Sequence, residues 1–505
     1  MNLKPGSNGG YLLIAIAGMA VQLPIFKWLY PYPDFFTDTY YYISTAANHT
    51  NYDIWPLGYS KFLQYGSFFT HNPVLLVIFQ YLLIQSANFY LFITLRTLYS
   101  PNTEATQYLF WFLLFDPLAL YVGNYITTDA LFWGLSEIWI ALLLRSIQKP
   151  DQLLLIIIQG ILLATIFPIR YTAFYYPVVL VAGILLSKNK LFVKIIGIGL
   201  PSCLILLFIL FMRQATYKAT GVREFNSFSG WQLANNALYM HAYLPPDGQP
   251  PTQGELKEVS GAIQRYFDTT TSQQAKIGPR DGAFYIWSYR SPLGIYAQNY
   301  ISSRKWNLEQ DFLKAWGQLA PLYSAYGKQL ILAHPIPFVR HYILPNTGAY
   351  FYPPLESLSI YDGGTEHIFA NAKAWFYYDS QRVYSFNDSF QLLLFSPFPI
   401  LFLLGNLCFL SAVIIYWGKL GQFRTKLLSD GLRFIGFFLL INMGFSILAA
   451  PIVFRYQIVP FNLCCAFVIL VHDHLILKNR LWQQWKKYFV RIKISQQKMD
   501  DTGVV

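Results

Sequence analysis

Three aspartates lie close together in the segment 31–72, which follows the first long apolar run. Asp34, Asp38 and Asp53 stand among aromatic residues in the sequence PYPDFFTDTYYYISTAANHTNYDIWPLG. An acid at the edge of a lipid layer costs desolvation energy unless it is paired or used. The pattern predicts two short helices lying on the membrane, one with Thr37 as N-cap and one after Pro56. Asp38 could accept a proton from a substrate hydroxyl or could only cap its helix, and the residues alone leave both interpretations open.

A second set of acids lies in the segment 115–139, FDPLALYVGNYITTDALFWGLSEIW. Thr128 and Asp129 stand where a membrane-spanning helix is predicted to begin, and together they would make a good N-cap and first turn. Asp116 and Glu137 lie deeper in apolar sequence. Acids inside a membrane are candidates for function, but pairing with polar neighbours explains these two equally well.

Two arginines stand at the ends of apolar runs, Arg170 in FPIRYTAFYYP and Arg455 in APIVFRYQIVP. An arginine between apolar runs is expensive unless it meets an anion or extends to the membrane surface. A guanidinium group binds phosphate through a planar fork. A lipid phosphate at headgroup level is therefore the natural ligand for this pair.

These residues belong to a chain of 505 residues, of which 54% are hydrophobic, 18% aromatic and only 12% charged. A soluble globular chain carries about 25% charged residues. The composition therefore excludes a soluble enzyme, a disordered protein and a small secreted scaffold. The net charge of +12 arises from Lys and Arg that lie between apolar runs and in the C-terminal tail, which indicates membrane topology rather than nucleic-acid binding. The four cysteines all fall in apolar stretches, so neither a disulfide framework nor a metal site is expected.

The hydrophobic runs predict an all-α polytopic membrane protein with about ten transmembrane helices. The predicted spans are 11–30, 73–95, 106–122, 126–144, 152–169, 171–187, 191–212, 389–417, 431–449 and 456–477. With the N-terminus in the cytoplasm, the inner segments hold eighteen Lys and Arg and the short outer segments hold four. The positive-inside rule then places both termini in the cytoplasm and the segments 31–72 and 213–388 outside.

Four parts of the chain follow from this topology. They are an N-terminal transmembrane module 1–212 with seven spans, a mainly helical extracytoplasmic domain 213–388, a C-terminal transmembrane module 389–477 with three spans, and a basic cytoplasmic tail 478–505. Within the second part, Lys257–Phe267 and Leu308–Ala320 are predicted to be helical, and Trp231 could form a platform on which a sugar ring stacks. The tail is predicted to form a helix on anionic lipid.

The order and spacing of these elements resemble the GT-C class of integral-membrane glycosyltransferases. The resemblance rests on the acidic first outside loop (TDTYYYISTA, then WPLGYS), the Thr-Asp pair in NYITTDALFW, the Arg-Tyr pair at 170–171 and the late FRYQ element. Within that class the chain is similar to the protein-O-mannosyltransferase and lipid A aminoarabinose transferase type. The resemblance covers residues 10–215 and 390–475, whereas 213–388 matches only as one large outside domain.

The resemblance implies a transfer of sugar from a polyprenyl-phosphate carrier to a lipid, glycan or protein acceptor outside the cytoplasmic membrane, with inversion. It implies that Asp38 deprotonates the acceptor hydroxyl, that Asp129 orients the acceptor or the base, and that Arg455 holds the carrier phosphate. The other implied substrate-binding residues are Arg170, Tyr456, Tyr171 and Asp34. Members of the class differ in metal use. Since the nearest approach to an Asp-x-Asp motif is Asp34 with Asp38, no metal or other cofactor is expected.

Two other classes of function are compatible with a polytopic chain. A transporter or flippase would place its substrate site near the membrane midplane and often shows repeated halves, whereas the polar residues here cluster at one boundary. A membrane assembly protein without chemistry would use the long outside segment to bind a partner. Replacement of Asp38 by Asn distinguishes these classes, because only the enzyme depends on that carboxylate.

Overall fold

The fold is described from a computed structural model of the chain. The structure describes residues 7–148, 153–245, 255–270, 277–418 and 425–476. Within these ranges the chain is mainly helical and forms no β-strand, only isolated bridges between Asp34 and Tyr125 and between His367 and Arg382. The predicted all-α class is therefore confirmed. The predicted tail helix 478–505 lies outside the described residues.

The helices follow one another with short connections in both apolar parts of the chain. In order they are α1 (Asn8–Leu29), α2 (Thr37–Ala47), α3 (Leu57–Gly66), α4 (Pro73–Tyr99), α5 (Thr103–Leu114), α6 (Leu118–Asn124), α7 (Asp129–Gln148), α8 (Leu153–Ile169), α9 (Tyr176–Leu186), α10 (Leu191–Thr220), α11 (Phe228–His241), α12 (Glu255–Thr269), α13 (Phe284–Trp287), α14 (Pro292–Ser303), α15 (Phe312–Ala333), α16 (Pro335–Phe338), α17 (Leu344–Phe351), α18 (Ala370–Phe376), α19 (Phe390–Phe395), α20 (Phe398–Gly418), α21 (Lys426–Ala449) and α22 (458–476). Short 3-10 helices cover Tyr171–Tyr175, Pro279–Asp281, Glu356–Ser359, Tyr361–Gly364 and Phe454–Gln457, and a π-helical turn covers Val339–Ile343.

Eight helical stretches in the described ranges are long and apolar enough to cross a membrane, against the ten that the sequence predicts. They are Asn8–Leu29, Pro73–Tyr99, Thr103–Asn124, Asp129–Gln148, Leu191–Thr220, Phe390–Gly418, Lys426–Ala449 and Phe454–Ile476. The other two predicted spans correspond to shorter apolar helices, Leu153–Ile169 and Tyr171–Leu186. At 17 residues, the first of these is about 25 Å long, somewhat less than the thickness of about 30 Å of a bilayer core.

Two of the apolar stretches are interrupted by proline. The predicted span 106–122 is divided into α5 and α6, between which Pro117 lacks an N–H and the Asp116 carboxylate accepts the N–H of Leu118 at 2.9 Å. The predicted span 389–417 is likewise divided into α19 and α20, and Pro397 stands directly before α20.

The two predicted helices of segment 31–72 are present as α2 and α3. The first begins at Thr37, so Phe36 and not Thr37 occupies the N-cap position. The side chain that caps the helix is Thr39, whose Oγ1 accepts the N–H of Phe36 at 2.9 Å. Thr39 Oγ1 also donates to the carbonyl of Ile126 at 2.9 Å. Because that carbonyl lies three residues before Asp129, the start of α2 is fixed next to the start of α7.

Helix α3 lies directly against the end of α8. A Cβ atom built on Gly58 would lie 2.6 Å from the backbone nitrogen of Ile169 and 2.6 Å from the carbonyl carbon of Pro168. Backbone atoms cannot swing aside as a flexible side chain can, so only glycine allows this approach. The contact sets the position of the residue that follows, Arg170.

Replacement of Gly58 by Ala is therefore expected to destabilise the protein by about 1–3 kcal/mol, the usual cost of overpacking. Thermal unfolding in detergent measures this change. The matched control is Gly66→Ala in the same helix, because a Cβ there would meet no atom within 4 Å. Equal stability of the two variants would contradict the close approach of α3 to α8.

The apolar residues of segment 213–388 are divided among three hydrophobic cores. Residues of α11 to α15 pack around Trp231 and Trp316, in a core that Ile54 of segment 31–72 also joins. Later residues such as Leu358 belong to the large core of the apolar bundle, and Tyr350 belongs to a small core with residues of the C-terminal part of the chain. The polar composition of the segment does not reveal which of its apolar residues face the bundle, and the predicted outside domain 213–388 stays a prediction.

Helices are present at both positions predicted in this segment, as α12 and as the longer α15. The prediction of a sugar platform at Trp231 is wrong. Its side chain is only 2% exposed and stacks on Trp316 with 3.9 Å between ring centroids. Its indole N–H donates to the carbonyl of Trp316 at 3.0 Å, which makes it a core residue.

Candidate functional site

Two guanidinium groups and three carboxylates meet at the end of the bundle where α7 begins and α8 ends. Asp129 stands at the start of α7, Arg170 follows α8, and Arg455 lies in the 3-10 turn Phe454–Gln457. Asp38 comes from the first turn of α2, and Glu356 comes from the turn Glu356–Ser359. Five separate parts of the chain therefore contribute to one charged cluster, which we call the arginine cluster.

Asp129 lies at the centre of the arginine cluster. Its Oδ1 accepts from Arg170 Nη1 at 2.5 Å, and its Oδ2 accepts from Arg455 Nη1 at 3.1 Å. The hydroxyl of Thr127 donates to Oδ2 at 2.6 Å. The side chain of Asp129 is only 2% exposed. With both oxygens bonded to arginine and the side chain buried, Asp129 holds the two arginines in position and is less suited than an exposed carboxylate to take a proton from a substrate.

Arg455 joins four groups. Besides Asp129, its Nε donates to Glu356 Oε2 at 3.2 Å, its Nη2 donates to the hydroxyl of Tyr456 at 3.1 Å, and Nη2 lies 3.9 Å from Asp38 Oδ2. The ring of Tyr456 also lies 4.1 Å from the guanidinium carbon of Arg170 and 4.8 Å from that of Arg455. Tyr456 therefore holds both guanidinium groups by cation–π contact.

Asp38 is the acid that is least committed to protein partners. The Arg455 atom at 3.9 Å is beyond hydrogen-bond distance, and no donor in the described ranges hydrogen-bonds its carboxylate. Its side chain is 22% exposed. Asp38 lies in the first turn of α2, but its carboxylate accepts no N–H of the described residues and so forms no capping hydrogen bond. Burial raises the pKa of Asp38 to about 6, Arg455 opposes the rise, and the charges of Glu356 and Asp129 add to it.

Glu356 is a member of the arginine cluster that the sequence interpretation missed. Its side chain is 45% exposed. Its backbone has a φ of +50°, in the left-handed region that costs a residue other than glycine about 1–3 kcal/mol. A hydrogen bond from the N–H of Phe454 to the carbonyl of Pro354, at 2.9 Å, holds this segment beside Arg455. The available signal was an isolated acid two residues after Pro-Pro in the aromatic stretch YFYPPLESL.

Two of the predicted substrate-binding residues lie away from the arginine cluster. Asp34 is 1% exposed and accepts the N–H of Asp362 at 3.0 Å. Burial raises the pKa of Asp34 well above its ordinary value, and the charge of Asp362 raises it further. A spacing of four brings Asp34 and Asp38 to one face only within a helix, and α2 begins after Asp34. Tyr171 points its ring toward Phe225, at 5.5 Å between centroids, and makes no described contact with either arginine.

The deeper acids have protein partners of their own. The Glu137 carboxylate accepts from the side-chain amide of Asn462 at 2.8 Å, and Asp116 caps α6. Each acid is thus paired through one oxygen, while its other oxygen, Asp116 Oδ2 or Glu137 Oε2, is buried without a hydrogen-bond partner in the described ranges. Within the described part of the chain, no group of three or more His, Cys, Asp or Glu side chains is arranged to hold a metal ion, and the four cysteines are free.

Comparisons of the chain with protein-family models, with curated proteins and with solved structures gave no match. The function is therefore inferred from the chemistry of the arginine cluster.

Proposed function

We propose that this protein is a membrane glycosyltransferase that moves a sugar from a polyprenyl-phosphate carrier to an acceptor hydroxyl on the outer side of the cytoplasmic membrane. The observation that carries the proposal is the meeting of two buried guanidinium groups with one weakly bonded carboxylate, Asp38, at the end of an apolar bundle. Guanidinium groups suit a phosphate leaving group, and a carboxylate with a pKa of about 6 suits a general base near neutral pH.

The proposed reaction is a single displacement at the anomeric carbon. Asp38 takes the proton of the acceptor hydroxyl, and the acceptor oxygen forms a bond to the anomeric carbon. The bond from that carbon to the phosphate oxygen breaks, and the electron pair leaves with the carrier phosphate. Arg455, held by Asp129 and Tyr456, stabilises the charge that grows on the phosphate. Preorganised groups of this kind contribute about 3–4 kcal/mol each in known enzymes. Attack opposite the leaving group inverts the sugar configuration.

Asp38 suits the role of base better than either neighbouring acid. Asp129 has both oxygens bonded to arginine, and Glu356 is bonded to Arg455 Nε. Asp38 lies beside the same guanidinium group without a hydrogen bond to it. With the sugar's phosphate on Arg455 and the acceptor hydroxyl beside Asp38, the acceptor oxygen would attack the anomeric carbon from the side opposite the leaving phosphate.

The charge balance of the arginine cluster gives Glu356 a part in the proposal. Two arginines face three carboxylates, so the cluster has a formal excess of one negative charge when all are ionised. A carrier phosphate adds further negative charge and needs a donor that is not already used. Glu356 is the most exposed of the three acids and is held in a strained backbone conformation. We expect its carboxylate to leave Arg455 Nε when the phosphate binds.

The direct test is incubation of purified protein in detergent with a panel of polyprenyl-phosphate sugars and candidate acceptors. Transfer yields free polyprenyl phosphate and an acceptor heavier by one sugar residue, both of which mass spectrometry measures. A flippase, the alternative function, would move the lipid-linked sugar across a vesicle membrane and leave its sugar–phosphate bond intact. Translocation of unchanged carrier without any product would overturn the proposal.

Transfer is expected to slow below a pH of about 6, because the pKa of Asp38 is raised to that value and only the ionised carboxylate accepts a proton. The charge of Glu356 raises the pKa of Asp38. The Glu356→Gln variant is therefore expected to shift the acid limb of the pH–rate profile to lower pH and to bind the carrier more tightly. Glu366→Gln, which alters an exposed acid paired with Arg382, serves as the control. If the acid limb of the pH–rate profile did not move in Glu356→Gln, the proposed effect of the Glu356 charge on the pKa of Asp38 would be contradicted.

A further inference from the structure

A groove that the proposed reaction does not use runs along the surface of the bundle. It lies between α3, the end of α8 and the second half of α10, and has a volume of about 310 Å³. The residues that line it include Leu57, Lys61, Tyr65, Pro168, Phe208 and Phe211. Most of the lining is apolar or aromatic, Asn51 adds one polar amide, and Lys61 supplies the charge.

The surroundings of the groove indicate its depth in the membrane. Helix α10 is one of the helices able to cross a bilayer, and its outward residues Leu207 and Phe211 are 57% and 48% exposed. Next to the groove, at the end of α3, Phe68 and Phe69 are 71% and 90% exposed. Tyr65, which lines the groove, is 59% exposed, and exposed tyrosines are typical of the level of the lipid headgroups. The groove therefore opens toward lipid, with the acyl chains beside α10 and the headgroups beside α3.

Lys61 lies at the headgroup end of the groove. Its position one helical turn after Leu57 and one turn before Tyr65 puts all three on the same face of α3. Its ammonium group donates to the carbonyl of Thr50 at 3.0 Å and to Gln64 Oε1 at 2.9 Å. An ammonium group has three N–H donors, and no carboxylate in the described ranges forms an ion pair with Lys61. The positive charge of Lys61 and one of its three N–H donors are therefore available to bind an anion.

We propose that this groove binds an anionic membrane phospholipid, with the headgroup phosphate on Lys61 and the upper part of one acyl chain along Phe208 and Phe211. The volume is at the lower end of the range of about 300–1,000 Å³ that small-molecule sites occupy, which suits part of one chain rather than a whole lipid. Burial lowers the pKa of Lys61, consistent with an ammonium group that has lost part of its water. The site is distinct from the carrier phosphate position assigned to Arg455, and it does not depend on the glycosyltransferase proposal.

The test uses the full-length protein in nanodiscs that contain phosphatidylglycerol and phosphatidylcholine, with bound lipids counted by native mass spectrometry. The variants are Lys61→Gln, Lys61→Arg and, as a control of equal charge change, Lys328→Gln on the exposed face of α15. One lysine near an anionic membrane surface changes lipid binding by about five-fold. Lys61→Gln is therefore expected to retain about five-fold less phosphatidylglycerol, while the other two variants match the unmodified protein.

Three results would overturn the proposal. Unchanged retention in Lys61→Gln would remove the role of the ammonium group. A second set of nanodiscs contains polyprenyl phosphate as the alternative anionic lipid. If Lys61→Gln retained less polyprenyl phosphate but as much phosphatidylglycerol as the unmodified protein, the groove would be a site for the carrier lipid. If inorganic phosphate bound in the absence of lipid with the same dependence on Lys61, the apolar lining of the groove would not contribute to binding. Unfolding temperatures of the variants separate loss of binding from loss of the fold.

Discussion

Replacement of Asp38 by Asn is expected to slow sugar transfer by about 10²- to 10⁴-fold, the contribution typical of a general base. Asparagine keeps the size of the side chain but cannot accept the proton at neutral pH. The carboxylate makes no hydrogen bond to the described residues, so the substitution leaves the arginine cluster otherwise intact. Single-turnover rates of transfer, measured with saturating lipid-linked sugar, give the change directly.

The control for Asp38→Asn is Glu366→Gln, which also changes a carboxylate to an amide but stands on an exposed surface pair with Arg382. It is expected to transfer sugar at the normal rate. If Asp38→Asn stayed within a few-fold of the unmodified protein while Glu356→Gln lost activity, Glu356 would be the base. If both variants remained active, the arginine cluster would not be the catalytic site.

Replacement of Asp129 by Asn is expected to destabilise the protein by about 3–5 kcal/mol, the cost of removing one partner from a buried ion pair. Arg170 and Arg455 have side chains only 10% and 8% exposed. Arg170 would lose its carboxylate partner altogether, whereas Arg455 would keep Glu356 and the more distant Asp38. An amide accepts hydrogen bonds but carries no charge, so it cannot replace the carboxylate. Denaturant unfolding in detergent, followed by tryptophan fluorescence, measures the loss.

A double variant tests whether this loss arises from the unpaired Arg170. Asp129→Asn leaves Arg170 buried without a carboxylate, and the added Arg170→Gln removes that charge while Arg455 stays paired with Glu356, so the double variant is expected to be more stable than Asp129→Asn alone. Contacting residues usually show such non-additivity. A loss below about 1 kcal/mol for Asp129→Asn would indicate that the ion pairs are much more hydrated than their burial implies.

The sequence was most informative about the elements that carry strong physical signals. Long apolar runs located the spanning helices, and Pro56 marked the start of α3 correctly. The exact first residues of the helices were harder to predict from the sequence. Thr37 and Thr39 are equally good capping residues, and only the contact of Thr39 with the carbonyl of Ile126 decides between them. The division of the apolar residues of 213–388 among three cores depends on tertiary packing that periodicity does not encode.

The arginine cluster could be predicted in part. Acids and arginines at the ends of apolar runs are costly, so their convergence on one site was a sound hypothesis, and Asp38, Asp129, Arg170 and Arg455 do lie together. Their chemical roles remain a proposal. Glu356 was missed because neither its type nor its spacing distinguishes it from a solvated acid. Asp34 lies away from the arginine cluster because the backbone bridge between Asp34 and Tyr125, just before α2, fixes the direction of its side chain.

The distribution of the arginine cluster along the chain has a consequence for biosynthesis. Asp38, Asp129 and Arg170 leave the ribosome early, whereas Arg455 emerges only after more than half of the polypeptide has followed. Until then Asp129 has Arg170 as its sole guanidinium partner in the cluster, which already offsets part of the cost of inserting either charge. A nascent or truncated chain that stops before residue 455 thus lacks the group assigned to the carrier phosphate. Under the proposed function, such a chain is expected to transfer no sugar.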